Sequence, residues 1–272
     1  MIRKLSILDV PQALELSSAA GWNQTMRDWQ RVLLLEPEGC FCFEMDGRVV
    51  ATTTAVCYEG RMAWIGMVLT NPDFRRMGFA RQLMKYALQS LRSRGITGAK
   101  LDATGQGRPL YAELGFTDEC LVERWHHPLS PSAPLTKPIL PRFPAFHMDT
   151  IAFGLSRGDL FGLLREEKWV SSPELGFAFT RTGASANYFG PCLATSESNA
   201  RRFVEWSLAT NPGLPLYWDL FPENTAAVRL AKEFGFQPAR RLVRMSLALQ
   251  AGAKLPPTDP HAYYALSGFE YG

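Results

Sequence analysis

Arg75-Arg76-Met77-Gly78-Phe79-Ala80 stands between a β-rich run that ends at Thr70 and an amphipathic stretch, ARQLMKYALQSLRSRG. A strand, a short loop and a helix start in that order can hold a pyrophosphate. Backbone N–H groups converge there, and the helix dipole favours negative charge. Gly78 lets the backbone approach the phosphates, Ala80 keeps the next turn small, and Arg75 and Arg76 add charge-assisted contacts. A solvated basic loop ahead of a helix is the other reading of the same six residues.

The elements that must position this loop follow from patterning. ILDVPQALELSSAAGWN reads as a helix opened near Asp9–Pro11 and closed by Gly21, and TMRDWQRVLLLEPEG as a second, stopped by Pro37 and Gly39. Asp46-Gly47 is a strong hairpin signal, and Glu59-Gly60 a second turn, which together make a three-stranded meander. Leu83, Met84, Ala87, Leu88 and Leu91 form one helical stripe, with Gly95 as its stop. GAKLDAT, RPLYAELG and CLVERWHH follow as strand, short helix and strand, giving the order α-α-β-β-β-α-β-α-β.

Six prolines between 128 and 144 mark a semi-rigid linker, which divides the chain into 1–127, 128–147 and 148–272. Beyond it, LAKEFGF (230–236) echoes LYAELGF (110–116) at an offset of 120. At the same offset, without a gap, RRFVEWSLA falls under RQLMKYALQ and QPARRLVRMSL under TDECLVERWHH, so the fold is read as a partial repeat whose first two helices are replaced by the linker.

The 272 residues suffice for two domains, and 46% apolar residues allow each a core. A net charge of +3 with interspersed signs argues against a dedicated nucleic-acid surface. No run of about 18 apolar residues suggests a membrane span. Asp9 and Glu15 interrupt the first apolar stretch, so no secretory signal core is expected. Five cysteines (Cys40, Cys42, Cys57, Cys120, Cys192) match no zinc spacing and read as free thiols, which fits a reducing cytoplasm. The four histidines show no nucleophile or metal arrangement, and no metal is expected.

The loop and LYAELGF, in this order of elements, resemble the GCN5-related N-acetyltransferase (GNAT) superfamily. Its signature, [Q/R]-x-x-G-x-[G/A] after the fourth strand, reads Arg75 to Ala80 here, and its later motif reads Leu110 to Phe116. The likeness covers about residues 2–127, and the proline segment with a shorter partner resembles one bacterial subgroup with an extra C-terminal domain. It implies an α/β (α+β) fold of two GNAT-like domains, each a mixed, mostly antiparallel sheet flanked by helices, splayed between strands four and five in the first. It implies acetyl-CoA as donor and coenzyme A as product. Backbone groups of Val68, Leu69 and Thr70 would bond pantetheine and the thioester oxygen, and Arg75, Arg76, Met77, Gly78, Phe79 and Ala80 the pyrophosphate. Tyr111 stands where many members place the acid for the departing thiolate, a role compatible with a phenol of pKa about 10. Packing of the short helix is its alternative. Thr104 occupies the place of a frequent asparagine and could supply only part of that contact. A general base is not legible among Asp102, Glu44 and Glu59.

GWNQTMRDW lies where the family covers its acceptor. Trp22, Asn23, Gln24 and Trp29 would suit a small polar amine, although Trp29 could equally be core. In the second half, Thr195-Ser196-Glu197-Ser198-Asn199-Ala200 falls under the phosphate loop and Ala231 under Tyr111. That half is therefore expected to bind no coenzyme A and to close the acceptor pocket with Tyr188, Tyr217, Trp218 and Asp219, or only to pack. AYYALSGFEYG (262–272) is aromatic enough to dock. A small-molecule amine acetyltransferase leads. A protein or peptide N-acetyltransferase, and a coenzyme A-binding regulatory module without turnover, stand as alternatives. Monomer and homodimer are both open.

Overall fold

The computed structural model describes residues 1–129 and 146–272, so most of the expected proline linker, 130–145, lies outside the described residues. The chain forms two compact units. Unit 1 is Met1–Asp118, Met245–Leu255 and Phe269–Gly272; unit 2 is Glu119–Arg244 and Pro256–Gly268. Neither is a contiguous stretch, and this grouping departs from a division at the proline segment.

Unit 1 contains β1 (Ile2–Lys4), α1 (Val10–Ala19), α2 (Met26–Leu35), β2 (Cys40–Met45), β3 (Arg48–Tyr58), β4 (Met62–Thr70), α3 (Phe79–Ser93), β5 (Gly98–Ala103) and α4 (Arg108–Glu113). Both turns form where they were expected. Asp46 and Gly47 adopt φ of 48° and 74°, and Glu59 and Gly60 adopt 49° and 62°, the left-handed values tight hairpins need. β1 to β4 pair antiparallel in sequence order, and β4 pairs parallel with β5. Beyond β5 the sheet continues with β11 (Gln237–Ala248), whose last residues from Met245 belong to this unit; Leu249 N donates to Thr97 O at 2.8 Å. α3 covers one face, packing Phe79, Leu83 and Ala87 on Phe41, Val50 and Ala51. Thr25 caps α2 in a reciprocal box with Asp28, and Trp29, fully buried, gives its indole N–H to Ser17.

β1 was not expected, because three residues carry too little period to read. It pairs with β2, and its Arg3 grips Asp9 through two hydrogen bonds of 2.7 and 2.8 Å. That guanidinium, with burial opposing it, lowers the Asp9 carboxyl from 3.8 to about 2. A depressed folded value gives stability that is present above pH 3.8 and lost as pH falls through about 2. The difference in melting temperature between wild type and Asp9→Asn should therefore shrink over that window in a pH series of thermal melts.

Unit 2 contains α5 (His147–Phe153), α6 (Gly158–Leu164), β7 (Lys168–Ser172), β8 (Gly176–Arg181), β9 (Asn187–Ala194), α7 (Glu197–Thr210), β10 (Leu216–Leu220) and α8 (Thr225–Glu233). Its strands run β7-β8-β9-β10, then β6 (Thr117–His127), then β11. Two expectations are corrected. α5 and α6 occupy the place of α1 and α2, so the linker replaces no helices and the repeat is fuller than it read. They are tied by a buried ion pair, Arg157 to Asp149, that extends to the Tyr263 hydroxyl. The gapless offset of 120 also fails locally. β4 ends at Thr70 and α3 starts at Phe79, whereas β9 ends at Ala194 and α7 starts at Glu197, so the second loop is shortened rather than substituted residue by residue.

All five cysteines are free thiols, and burial pushes Cys42 up to about 11 and Cys57 to about 12.

Candidate active site

β4 carries a bulge. Its partners jump from Thr52↔Leu69 to Thr54↔Gly66, Met67 adopts φ of 48°, and the Thr52 hydroxyl donates to Met67 O at 2.8 Å. β4 and β5 are paired only from Met62↔Gly98 to Trp64↔Lys100. Past that point the strands part, which is the expected splay. Val68, Leu69 and Thr70 lie on the freed end of β4, Leu69 buried and its neighbours half-buried.

The loop that follows is held at its entry. Asn71 N donates to Val50 O at 2.8 Å, and the Asn71 side chain accepts from Asp73 N at 3.0 Å. Arg75, Arg76, Met77 and Gly78 are exposed. Gly78 is the N-cap of α3 at φ 81°, and no side chain caps the helix there. The first N–H groups of a fifteen-residue helix are thus left to a ligand or to water. Phe79 anchors the first turn inside, its ring 4.3 Å from Phe43 and 6.4 Å from Phe74, and Ala80 is half-buried.

Tyr111 lies on α4, buried, with its ring 6.1 Å from Phe116. Burial alone raises its phenol above the ordinary value, which keeps it protonated and able to donate. A Cβ on Gly107 would sit 2.9 Å from the ring, so that glycine makes room for it. Thr104 closes the turn that leads into the same helix: its hydroxyl oxygen accepts from Gly107 N at 3.1 Å and its carbonyl from Arg108 N at 2.9 Å. Of the candidate bases, Glu44 is held by Arg3 at 2.6 Å, Glu59 is an exposed turn residue, and Asp102 is half-buried on β5.

Trp22, Asn23 and Gln24 form the α1–α2 connection, Trp22 half-buried and the two amides buried. Trp29 belongs to the core between α1 and α2 and offers no pocket wall. The segment from Phe269 docks in this unit, as its aromatic content led us to expect, and its place was not legible. Trp64 Nε1 donates to Phe269 O at 2.9 Å, Tyr58 Oη to Tyr271 O at 2.7 Å, and Gln24 Nε2 to Glu270 Oε2 at 3.3 Å. Nothing local in the sequence marks Glu270, Gly66 and Thr54 as neighbours.

The counterpart in unit 2 is built otherwise. Ser196 caps α7 by accepting from Asn199 N at 3.2 Å, and Glu197 in its first turn pairs with Arg229 at 2.6 Å. β9 and β10 pair only from Leu216↔Asn187 to Trp218↔Phe189. The chain's own Tyr264–Leu266 fills the gap beyond: Cys192 N donates to Ala265 O at 2.9 Å, and Leu266 N to Asp219 O at 2.8 Å. Gly190 permits this approach, because a Cβ would lie 2.1 Å from Leu266 O. Ala231 is buried where α4 carries Tyr111. Trp218 is core, its N–H given to Tyr264 O at 2.6 Å. Asp219 accepts both hydrogen bonds of a buried Arg124 fork at 2.7 Å, and that guanidinium sits 5.1 and 4.8 Å from the rings of Tyr188 and Tyr217. Trp218 and Asp219 are thereby consumed within the unit.

No helix among the described residues is long and apolar enough to cross a membrane. Residues 8–116 match the acetyltransferase (GNAT) family, and residues 145–263 match an acetyltransferase (GNAT) domain. An uncharacterised N-acetyltransferase of Bacillus subtilis, YitH, is 25% identical over 251 residues, 86% of each chain. Among solved structures, a putative acetyltransferase from Pyrococcus horikoshii superposes with a TM-score of 0.85 at 20% identity, covering 100% of this chain and 95% of that one. A GCN5-related N-acetyltransferase from Sphaerobacter thermophilus gives 0.67 at 15% identity, covering 95% and 98%. Both share the fold.

Proposed function

Because the chain belongs to the GNAT acetyltransferases through both of its halves, and is an N-acetyltransferase, we propose that unit 1 transfers an acetyl group from acetyl-CoA to a primary amine of a small molecule. The observation that carries the reading is the uncapped start of α3, with a left-handed Gly78 where an added Cβ would come no nearer to a neighbouring side chain than 4.0 Å, at Gln82 Nε2, and two exposed arginines beside it. That set fits a diphosphate, which needs N–H donors, positive charge and room.

Acetyl-CoA supplies an activated acyl group as a thioester. The α3 N-terminus with Arg75 and Arg76 holds its pyrophosphate, and the backbone of Val68, Leu69 and Thr70 on the freed end of β4 holds the pantetheine and polarises the carbonyl. The amine nitrogen would attack the carbonyl carbon directly as the C–S bond breaks; Tyr111 would give its proton to the departing sulfur, and the proton released by the nitrogen would pass to solvent, from which the phenol is reprotonated. The reading of one site per chain is supported by unit 2, whose loop is shortened and whose strand gap is filled by Tyr264–Leu266.

The test is calorimetry of acetyl-CoA followed by thiol release over aliphatic amines, polyamines, amino sugars, arylalkylamines and lysine peptides. Release with a small amine supports the proposal, and release only with the peptides favours a protein acceptor. Binding without release throughout favours a regulatory module. Tyr111→Phe is expected to lower kcat by about 10²–10⁴ with the acetyl-CoA Kd unchanged. An unchanged kcat would remove the phenol from the mechanism.

A further inference from the structure

Two buried oxygens in unit 1 have no use in the mechanism above. Gln24 is 5% exposed, its Nε2 donates to Glu270, and its Oε1 has no partner among the described residues. Thr54 is fully buried, and its Oγ1 also lacks a partner among them. The two flank one residue of the docked segment. Thr54 stands opposite Gly66 across the β3–β4 pair, and opposed residues project to the same side of a sheet. Gly66 is where the segment touches β4, since a Cβ there would lie 3.1 Å from Glu270 Cα. Thr53 turns its hydroxyl to Met84 of α3, so Thr54 faces the other way, toward Glu270. Gly66 precedes Val68 by two positions, on the other side of the bulge at Met67.

Buried acceptors without donors cost free energy until a donor reaches them. Resting on the reading of unit 1 as an amine acetyltransferase, we propose that Gln24 Oε1 and Thr54 Oγ1 hold the N–H groups of the acceptor amine. In this arrangement Glu270 is a positioning residue that acts through Gln24. A carboxylate only accepts, so the Nε2 end of the amide turns to Glu270 and the Oε1 end turns away, toward the substrate. A primary amine brings N–H donors for both oxygens. A carboxylate or phosphate would meet oxygens alone, with the Glu270 charge beside them. Arg31 nearby is engaged by Asp28 at 3.1 Å and by the Tyr271 hydroxyl at 3.4 Å. A Cβ at Gly66 would press on the backbone that carries Glu270, which would have to give by a few tenths of an ångström.

The probe is the small amine of the panel with the fastest thiol release. Gln24→Leu, which removes the acceptor and keeps the bulk, is expected to raise its KM by about tenfold or more while the acetyl-CoA Kd stays unchanged. Gln24→Glu sets two carboxylates against each other and is expected to do at least as much damage. Combining Gln24→Glu with Glu270→Gln restores a donor–acceptor pair and still presents an oxygen to the amine. That swap should return KM to within about threefold of wild type, a recovery that packing alone would not produce. The assignment is overturned if Gln24→Leu leaves KM unmoved, or if the swapped protein melts and binds acetyl-CoA like wild type yet stays as impaired as Gln24→Glu. If no small amine releases thiol, the acetyltransferase reading fails first, at the wild-type stage, and the assignment falls with it.

Discussion

Gly78→Glu is expected to lower acetyl-CoA affinity by at least about a hundredfold, whereas Ser198→Glu, in the first turn of α7, leaves it unchanged. Gly78 sits at φ 81°, and a residue with a Cβ held there costs about 1 kcal/mol or more in backbone strain. The larger effect is charge. A carboxylate about 4 Å from a phosphate at an effective dielectric near 20 costs about 4 kcal/mol, close to a thousandfold in binding. Steric clash contributes little, because the site is open out to Gln82 Nε2 at 4.0 Å. Gly78→Ala, which keeps the strain without the charge, should lose only about tenfold. Ser198 is exposed on a helix whose first turn already carries Glu197. Equal loss in Gly78→Glu and Ser198→Glu by calorimetry would overturn the assignment of one cofactor site to unit 1.

A fragment ending at His127 is expected not to fold, although the sequence reads as a complete domain up to that point. Unit 1 would lack Met245–Leu255 and Phe269–Gly272. Met245, Leu249 and Tyr271 are buried at 1%, 8% and 0% exposure. At about 1.5–3 kcal/mol for each large side chain, their loss removes roughly 5–9 kcal/mol. A domain of this size has only about 5–15 kcal/mol in all. β5 would also lose its β11 neighbour and expose an edge prone to aggregation. The expected result is an insoluble or loosely packed fragment without a cooperative melt in near-ultraviolet circular dichroism. A soluble fragment that melts cooperatively and binds acetyl-CoA would show that the late segments are dispensable.

What could be read in advance was local chemistry. Asp46-Gly47 and Glu59-Gly60 announce turns because few residues tolerate positive φ, and the stripe from Leu83 to Leu91 announces α3 because its period survives without context. Gly78 at a helix start could be located for the same reason. β1 was too short to show a period, and α5 and α6 lie just past a proline-rich stretch that masked their beginnings. Destinations could not be read. Nothing within β11 says that its end belongs with β5, and nothing near Gln24 points to Glu270, 246 positions away. The residues whose neighbours come from distant sequence are therefore the ones that only the structure brings to the site. The filled gap between β9 and β10 is the clearest case: nothing in the sequence places Tyr264–Leu266 against Cys192 and Asp219.

The composition of unit 1 also sets an order of events during translation. Its first 118 residues leave the ribosome early, but Met245–Leu255 and Phe269–Gly272 follow only after nearly all of unit 2 has been made. Domains usually fold as units from the N-terminus as they emerge. Here Met1–Asp118 emerges before the segments that complete its unit, and a chain stalled before Met245 would carry the Arg75–Ala80 loop without them.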